Sequence, residues 1–92
     1  ELKERVNEAK SHIRIAITLE PGLAQAHYFY GVIAKKQGSE EDAEKHFLEA
    51  LRRDPTFEDV MEELNSLSIH QRTMQIEATR YIQIIQKLVS PD

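Results

Sequence analysis

The sequence predicts an all-α protein, a solenoid fragment of antiparallel helical hairpins that ends in a long C-terminal helix. A shift of 34 residues superimposes identical residues, among them Pro21 and Pro55, Ala9 and Ala43, His12 and His46, and Ala16 and Ala50. A fixed period of this length indicates a helical repeat, in which each unit buries its apolar face against its neighbours. Apolar residues recur at helical spacing throughout, and no segment alternates with a period of two.

Composition and charge narrow the classes of partner. The chain has 92 residues, 40% of them hydrophobic and 30% charged, with a net charge of −4, which is typical of a single globular domain. Because acidic and basic residues are interspersed, no positive surface is predicted, which argues against a nucleic-acid partner. No apolar stretch reaches the about 18–20 residues that span a bilayer, so no membrane partner is predicted.

The absence of cysteine excludes disulfides and thiol chemistry and fits a cytoplasmic setting. The chain begins at Glu1 rather than Met, and we therefore expect it to be a piece of a longer protein.

Three helices are predicted before the second proline. The first covers residues 2–19 and ends before Pro21, because proline disfavours helical conformation in the residue that precedes it. The second covers residues 23–37, and Gly38 supplies the left-handed residue that stops it. Ser39 is a good N-cap for the third helix, whose first turn is acidic and therefore favourable to the helix dipole.

A spaced motif of small and large residues runs through the second and third helices. It reads His27-x-x-Tyr30-Gly31-x-x-Ala34, then Gly38, Ala43-x-x-x-Phe47, Ala50 and Pro55. The stretch 24–57 thereby resembles a tetratricopeptide repeat, although His27 and Ala34 replace residues that are usually larger. In this family the small residues let two helix backbones approach closely. The resemblance implies that residues 1–57 form one complete repeat preceded by the second helix of another.

Residues 58–90 follow a different pattern. The repeat register would need small residues where Glu77 and Ile84 stand, so a regular further hairpin is not expected. A heptad-like 4-3 spacing continues through Val60, Leu64, Leu67, Gln71, Met74, Ala78, Tyr81, Ile85 and Leu88. We predict one long helix over residues 58–88. The alternative is a bend near His70–Thr73 that forms a capping hairpin with Thr73 as its N-cap.

Neither a metal site nor an active site is predicted. The four histidines are His12, His27, His46 and His70, and no two of them have the i, i+4 spacing of a helical chelate. There is no cysteine nucleophile, no serine in a nucleophile elbow and no glycine-rich phosphate loop. The many carboxylates suit exposed helix faces. We therefore expect no cofactor and no enzymatic activity.

The family resemblance implies a partner-binding groove lined by the first helix of each hairpin. Carried over position by position, the groove residues are Gln25, Tyr28, Val32, Lys35 and Lys36, followed by Asp59, Glu62 and Ser66. Some family members hold a C-terminal carboxylate with a Lys/Asn/Arg clamp. Here Val32 stands at the position of the clamp asparagine, and acidic residues stand where basic ones are needed. The groove therefore favours a protein segment, helical or extended, that carries apolar anchors and basic residues.

The heptad-patterned helix predicts a second interaction surface. A homodimer would pair through Leu64, Leu67, Met74, Tyr81, Ile85 and Leu88, with the polar Gln71 helping to fix the register. The alternative is that this helix folds back along its own chain. Two hypotheses follow: a scaffold module that docks another protein in its groove, and a homo-oligomerisation module.

Overall fold

The computed structural model describes residues 2–90, and every element within that range is helical. The five helices are α1 Leu2–Leu19, α2 Ala24–Lys36, α3 Glu40–Arg53, α4 Glu58–Ser66 and α5 Ser68–Val89. None of the helices in this range is long and apolar enough to cross a membrane. The all-α prediction is confirmed, and the first two helices begin and end within one residue of their predicted limits.

Helices α2 and α3 form an antiparallel hairpin that closes around small residues. Ala34, Ala43, Phe47 and Ala50 are each 0% exposed. Gly31 lies so close to the Phe47 ring that a Cβ at this position would be 2.5 Å from Phe47 Cε1. Any larger residue would therefore push the two helices apart or displace a fully buried ring.

The turn between α2 and α3 is a Schellman motif. Gly38 has a φ of +83°, in the left-handed region that favours glycine. The Ser39 N–H donates to the Ala34 carbonyl at 2.8 Å, and the Gly38 N–H donates to the Lys35 carbonyl at 3.0 Å. Ser39 occupies the predicted N-cap position of α3, but its side chain makes no capping hydrogen bond.

Helix α1 packs against α2 through half-buried apolar residues (Val6, Ile13, Ala16 and Ile17) and through polar contacts. Arg14 Nη2 donates to the Tyr30 hydroxyl at 3.2 Å, and Lys10 Nζ donates to Gln37 Oε1 at 3.2 Å. Gln37 Nε2 donates in turn to Asn7 Oδ1 at 3.2 Å. No residue within Leu2–Leu19 is buried, so this helix depends on its neighbour for position while adding little to the core.

The core extends from the hairpin onto α4. Val60, Leu64 and Leu67 are 0%, 5% and 0% exposed, and they form one cluster with the buried residues of α2 and α3. The prediction that Leu64 and Leu67 take part in self-association therefore needs correction. The first part of the heptad pattern faces the hairpin of its own chain, where both leucines are shielded from a second molecule.

The prediction of one continuous helix over residues 58–88 is also wrong. Leu67 separates α4 from α5 in an extended conformation, with φ −79° and ψ 127°. Burial of the Leu67 side chain holds the chain in this conformation. The break frees the first N–H groups of α5, and Glu40 of α3 satisfies one of them by accepting from the Ser68 N–H at 3.1 Å. The Ser68 hydroxyl donates to the same carboxylate at 2.7 Å.

Helix α5 is attached to the other helices only by its first turn. A hydrogen bond of 2.8 Å joins His70 Nδ1 to Glu44 Oε2 of α3, and Ile69 packs against the core cluster. Thr73 lies inside α5, where its hydroxyl donates to the Ile69 carbonyl at 3.1 Å, so the alternative bend at His70–Thr73 is not observed. Residues 71–90 are all exposed, and the molecule measures 63 × 26 × 20 Å.

Candidate functional site

The groove expected from the family resemblance lies between α2 and α4, and its centre is aromatic. Tyr28 is half-buried, with ring centroids 5.1 Å from Phe57 and 5.4 Å from Phe29. Val32, one turn further along α2, is also half-buried against the core cluster. Phe29 is 52% exposed, so the apolar surface of α2 continues from the groove onto its flank. Side chains of α2 and of Phe57, which directly precedes α4, therefore provide a partly solvated apolar surface.

Lys35 and Ser66, both predicted as groove residues, are bonded to each other. Lys35 Nζ donates to the Ser66 hydroxyl at 2.9 Å and to Glu63 Oε2 at 3.0 Å. The Ser66 hydroxyl donates to the Glu63 carbonyl at 2.6 Å. These bonds join the C-terminal ends of α2 and α4. They also match the charge of Lys35 with Glu63, which the sequence analysis did not include among the groove residues.

The groove has an acidic edge because its other carboxylates are unmatched. Asp59 and Glu62 are exposed, and neither makes an ion pair with any residue in the range 2–90. Burial raises the pKa of the Tyr28 hydroxyl above its usual value. Negative charge raises that pKa further, and it comes from Asp59, Glu63 and Glu62. Lys36 and Gln25 are exposed at the opposite, α2 edge.

The second candidate surface is the apolar face of α5. The predicted residues Met74, Tyr81, Ile85 and Leu88 all lie on this helix, and they are 54%, 66%, 57% and 77% exposed. The sequence analysis missed Ile82, Ile84 and Val89, which extend the same face on both sides and are also exposed. Their spacing of three and four residues from the seam could have identified them. Unlike Leu64 and Leu67, all seven are accessible to a second molecule.

A pair of histidines, which the sequence analysis did not bring together, connects α2 to α3. His27 Nδ1 lies 3.3 Å from His46 Nδ1, and His27 Nε2 lies 3.1 Å from the Pro21 carbonyl. Because a carbonyl only accepts, His27 carries its proton on Nε2 when neutral, and His46 donates from Nδ1. Burial lowers the pKa of His46, and the nearby His27 lowers it further.

The histidine pair has a packing role in this arrangement. The Tyr30 ring covers His46 at a centroid distance of 4.0 Å, and the rings of His27 and His46 stack at a centroid distance of 5.6 Å. Across residues 2–90, no three His, Asp or Glu side chains come together as metal ligands. The pair therefore fastens the turn at Pro21 to the hairpin.

Comparison with known proteins agrees with this geometry over one segment of the chain. Residues 24–57, which contain α2 and α3, match the model of the tetratricopeptide repeat family. Searches of curated proteins and of solved structures found no match to the chain. The family resemblance and the helical-hairpin fold are thus confirmed. The chain carries a tetratricopeptide repeat at residues 24–57, and repeats of this family typically serve as non-catalytic protein-interaction modules.

Proposed function

We propose that the chain is a non-enzymatic interaction module that docks a segment of another protein in the groove between α2 and α4. The observation that carries this proposal is the combination of a half-buried apolar centre at Tyr28 and Val32 with unmatched carboxylates at Asp59 and Glu62. When a partner occupies a groove of this kind, water is excluded from its centre and the carboxylates at its edge select the charge of the partner. The absence of cysteine fits the cytoplasm, which is the setting we propose.

The groove selects a basic partner with apolar anchors. The charge of Lys35 is neutralised by its ion pair with Glu63, so the electrostatic potential around Tyr28 is negative because of the acidic edge. An acidic segment or a free C-terminal carboxylate would be repelled there. A helix or extended segment would place large apolar side chains against Tyr28 and Val32 and a lysine or arginine beside Asp59.

Two synthetic peptides test the groove. Both carry the same leucine and phenylalanine anchors, but one has lysines between them and the other has glutamates. Each is titrated with the chain by fluorescence anisotropy. We expect only the lysine peptide to bind, and we expect Tyr28→Ala to weaken it at least tenfold. Leu19→Ala is the matched control, because it removes an exposed apolar side chain of α1 that lies in neither candidate surface.

Charge reversal tests the acidic edge without disturbing the core. Asp59→Lys combined with Glu62→Lys should abolish binding of the lysine peptide and permit binding of the glutamate peptide. Glu4→Lys combined with Glu8→Lys changes the net charge equally on α1 and should leave the preference intact. All four residues are exposed, so each variant should fold. Equal binding of both peptides to the unmodified chain would refute the docking proposal.

A second candidate function, homo-oligomerisation, is favoured by one specific observation. Helix α5 buries none of its residues, although one side of it carries most of the large apolar side chains of the C-terminal third. The two functions respond to different variants. Tyr28→Ala should remove peptide binding and leave assembly intact, whereas Met74→Asp combined with Ile85→Asp should do the reverse.

A further inference from the structure

Helix α5 has a broad apolar face along its length. At about 100° per residue, most of the large apolar side chains lie within roughly 80° of the direction of Met74, and they are Met74, Tyr81, Ile82, Ile84, Ile85, Leu88 and Val89. Glu77 is the one charged residue within this arc. The opposite side carries Arg72, Arg80 and Lys87 with several glutamines, and it also holds the exposed Ile76. Because the other helices contact only the first turn of α5, nothing in the described chain covers this face.

The exposed area is about that of one side of a stable interface. Seven large apolar side chains on and beside the face, including Val89, are 54–77% exposed. At about 100 Å² for each, they present on the order of 700 Å² of apolar surface, compared with about 800 Å² per partner in a standard protein–protein interface. A partner that covers this area must match the length of α5 and be apolar along that length. A second copy of α5 has both properties.

We infer that α5 pairs with α5 of a second copy in an antiparallel dimer, an inference that rests on homo-oligomerisation as the proposed function. In the register we assign, Ala78 of each copy lies opposite Tyr81 of the other, Met74 opposite Ile85, and Gln71 opposite Leu88. Each central layer then pairs a small side chain with a large one, which fills space evenly. Parallel pairing would place two alanines in one layer and two tyrosines in the next.

The polar residue of the seam and the size of the rest of the molecule favour the same orientation. In the antiparallel register the two Gln71 side chains lie at opposite ends of the interface, where water reaches them. In a parallel pair they would meet in one layer. The molecule is 26 × 20 Å across its long axis, much wider than the 8–10 Å between the axes of packed helices. Antiparallel pairing keeps the two bodies formed by α1–α4 at opposite ends.

The first test is the solution mass by light scattering at about 100 µM, since interfaces of this size bind with micromolar affinity or tighter. We expect twice the 10.7 kDa of one chain. Met74→Asp combined with Ile85→Asp should give a monomer. Thr79→Asp combined with Gln83→Asp is the matched control, because it adds the same charge on the opposite side of α5, and it should remain a dimer.

Cross-linking tests the orientation. The chain has no cysteine, so single variants are unambiguous. A mixture of Gln71→Cys and Leu88→Cys chains, treated with a short thiol-specific bifunctional reagent, should give mixed dimers. Neither variant should cross-link alone, because identical positions would lie about 25 Å apart along the axis. Self-cross-linking of each variant without mixed products would refute the antiparallel register while leaving homo-oligomerisation standing.

A monomer mass at this concentration would overturn both the inference and homo-oligomerisation, but it would leave peptide docking in the groove untouched. The alternative occupant is a lipid surface, because a helix with an apolar face and basic residues on its opposite side is suited to bind one. A monomer that binds vesicles of anionic phospholipid, with binding lost in Met74→Asp combined with Ile85→Asp, would replace the second copy with a membrane surface. Vesicle binding by a stable dimer would leave the second copy as the occupant, because the apolar face of α5 is then already covered.

Discussion

The α2–α3 hairpin and helix α5 have nearly the same share of apolar residues but opposite surroundings. Counting Ala, Val, Ile, Leu, Met, Phe and Tyr, the hairpin helices have 13 among 27 residues and α5 has 10 among 22. The hairpin fully covers Ala34, Ala43, Phe47 and Ala50, whereas α5 covers none of its residues. Hydrophobic content therefore does not decide which residues form the core of one chain.

The two regions differ in how closely their helix backbones approach a neighbouring helix. In the hairpin, Gly31 and the alanines let α2 and α3 come near enough to enclose Phe47. Helix α5 is joined at its first turn through Glu40 and Glu44 and then extends into solvent. An apolar face of this kind is accessible to a partner, and the comparison therefore separates residues that fold the chain from residues that we propose bind a partner.

The largest expected effect is on the free energy of unfolding, and it distinguishes two leucines of the same heptad pattern that lie in different regions. Leu67 is 0% exposed and Leu88 is 77% exposed. Leu67→Ala should lower the free energy of unfolding by about 2–5 kcal/mol, because it leaves a cavity in the core. Leu88→Ala should change it by about 0.5 kcal/mol or less in the monomer. Urea unfolding at protein concentrations low enough to keep the chain monomeric measures both, and equal losses would contradict the division into core and binding residues.

The folding stability is expected to depend on pH through a residue of the hairpin, His46. Because the pKa of His46 is lowered in the folded state, the unfolded state takes up its proton first as the pH falls. The stability that depends on neutral His46 is fully present above about pH 6.5 and decreases as the pH falls below that value. The urea midpoint should therefore be lower at about pH 5.5 than at about pH 7.5.

Two histidines at equivalent positions of the repeat, His46 and His12, provide the test variant and its matched control. His46→Gln should flatten the pH dependence between these two values. His12→Gln should leave it unchanged, because His12 is exposed on α1. If both variants kept the full pH dependence, another titrating group would be responsible for it.

The smallest effect is expected at the junction of the two regions. Hydrogen bonds from the Ser68 hydroxyl and then the Ser68 N–H hold the pKa of Glu40 below its usual value. Glu40→Ala removes this acceptor, so the first turn of α5 should fray and its amides should exchange with solvent several times faster. Hydrogen exchange resolved by residue measures this. Glu41→Ala, an exposed neighbour, should leave the exchange rates of α5 as they are.

Much of the repeat could be predicted because its signals are local. Pro21 and Gly38 end helices through the conformations of one or two residues. The close approach at Gly31 is encoded by a spacing within a single hairpin. The positions of Lys35 and His27 could be placed on their helices in the same way. Their partners could not be identified, because Glu63 and His46 lie 28 and 19 residues further along the chain.

By itself, the sequence determined the helical class, the 34-residue period, the hairpin and the apolar face of α5, since each follows from residue spacing within one helix or turn. Only the tertiary structure decided where that face begins. The 4-3 pattern runs without interruption from Val60 to Leu88, and no local signal marks Leu67 as the end of a helix. The break is stable because Leu67 is buried against the hairpin and Glu40 satisfies the Ser68 N–H. Both contacts come from residues distant in sequence, and they leave only the later part of the pattern for a partner.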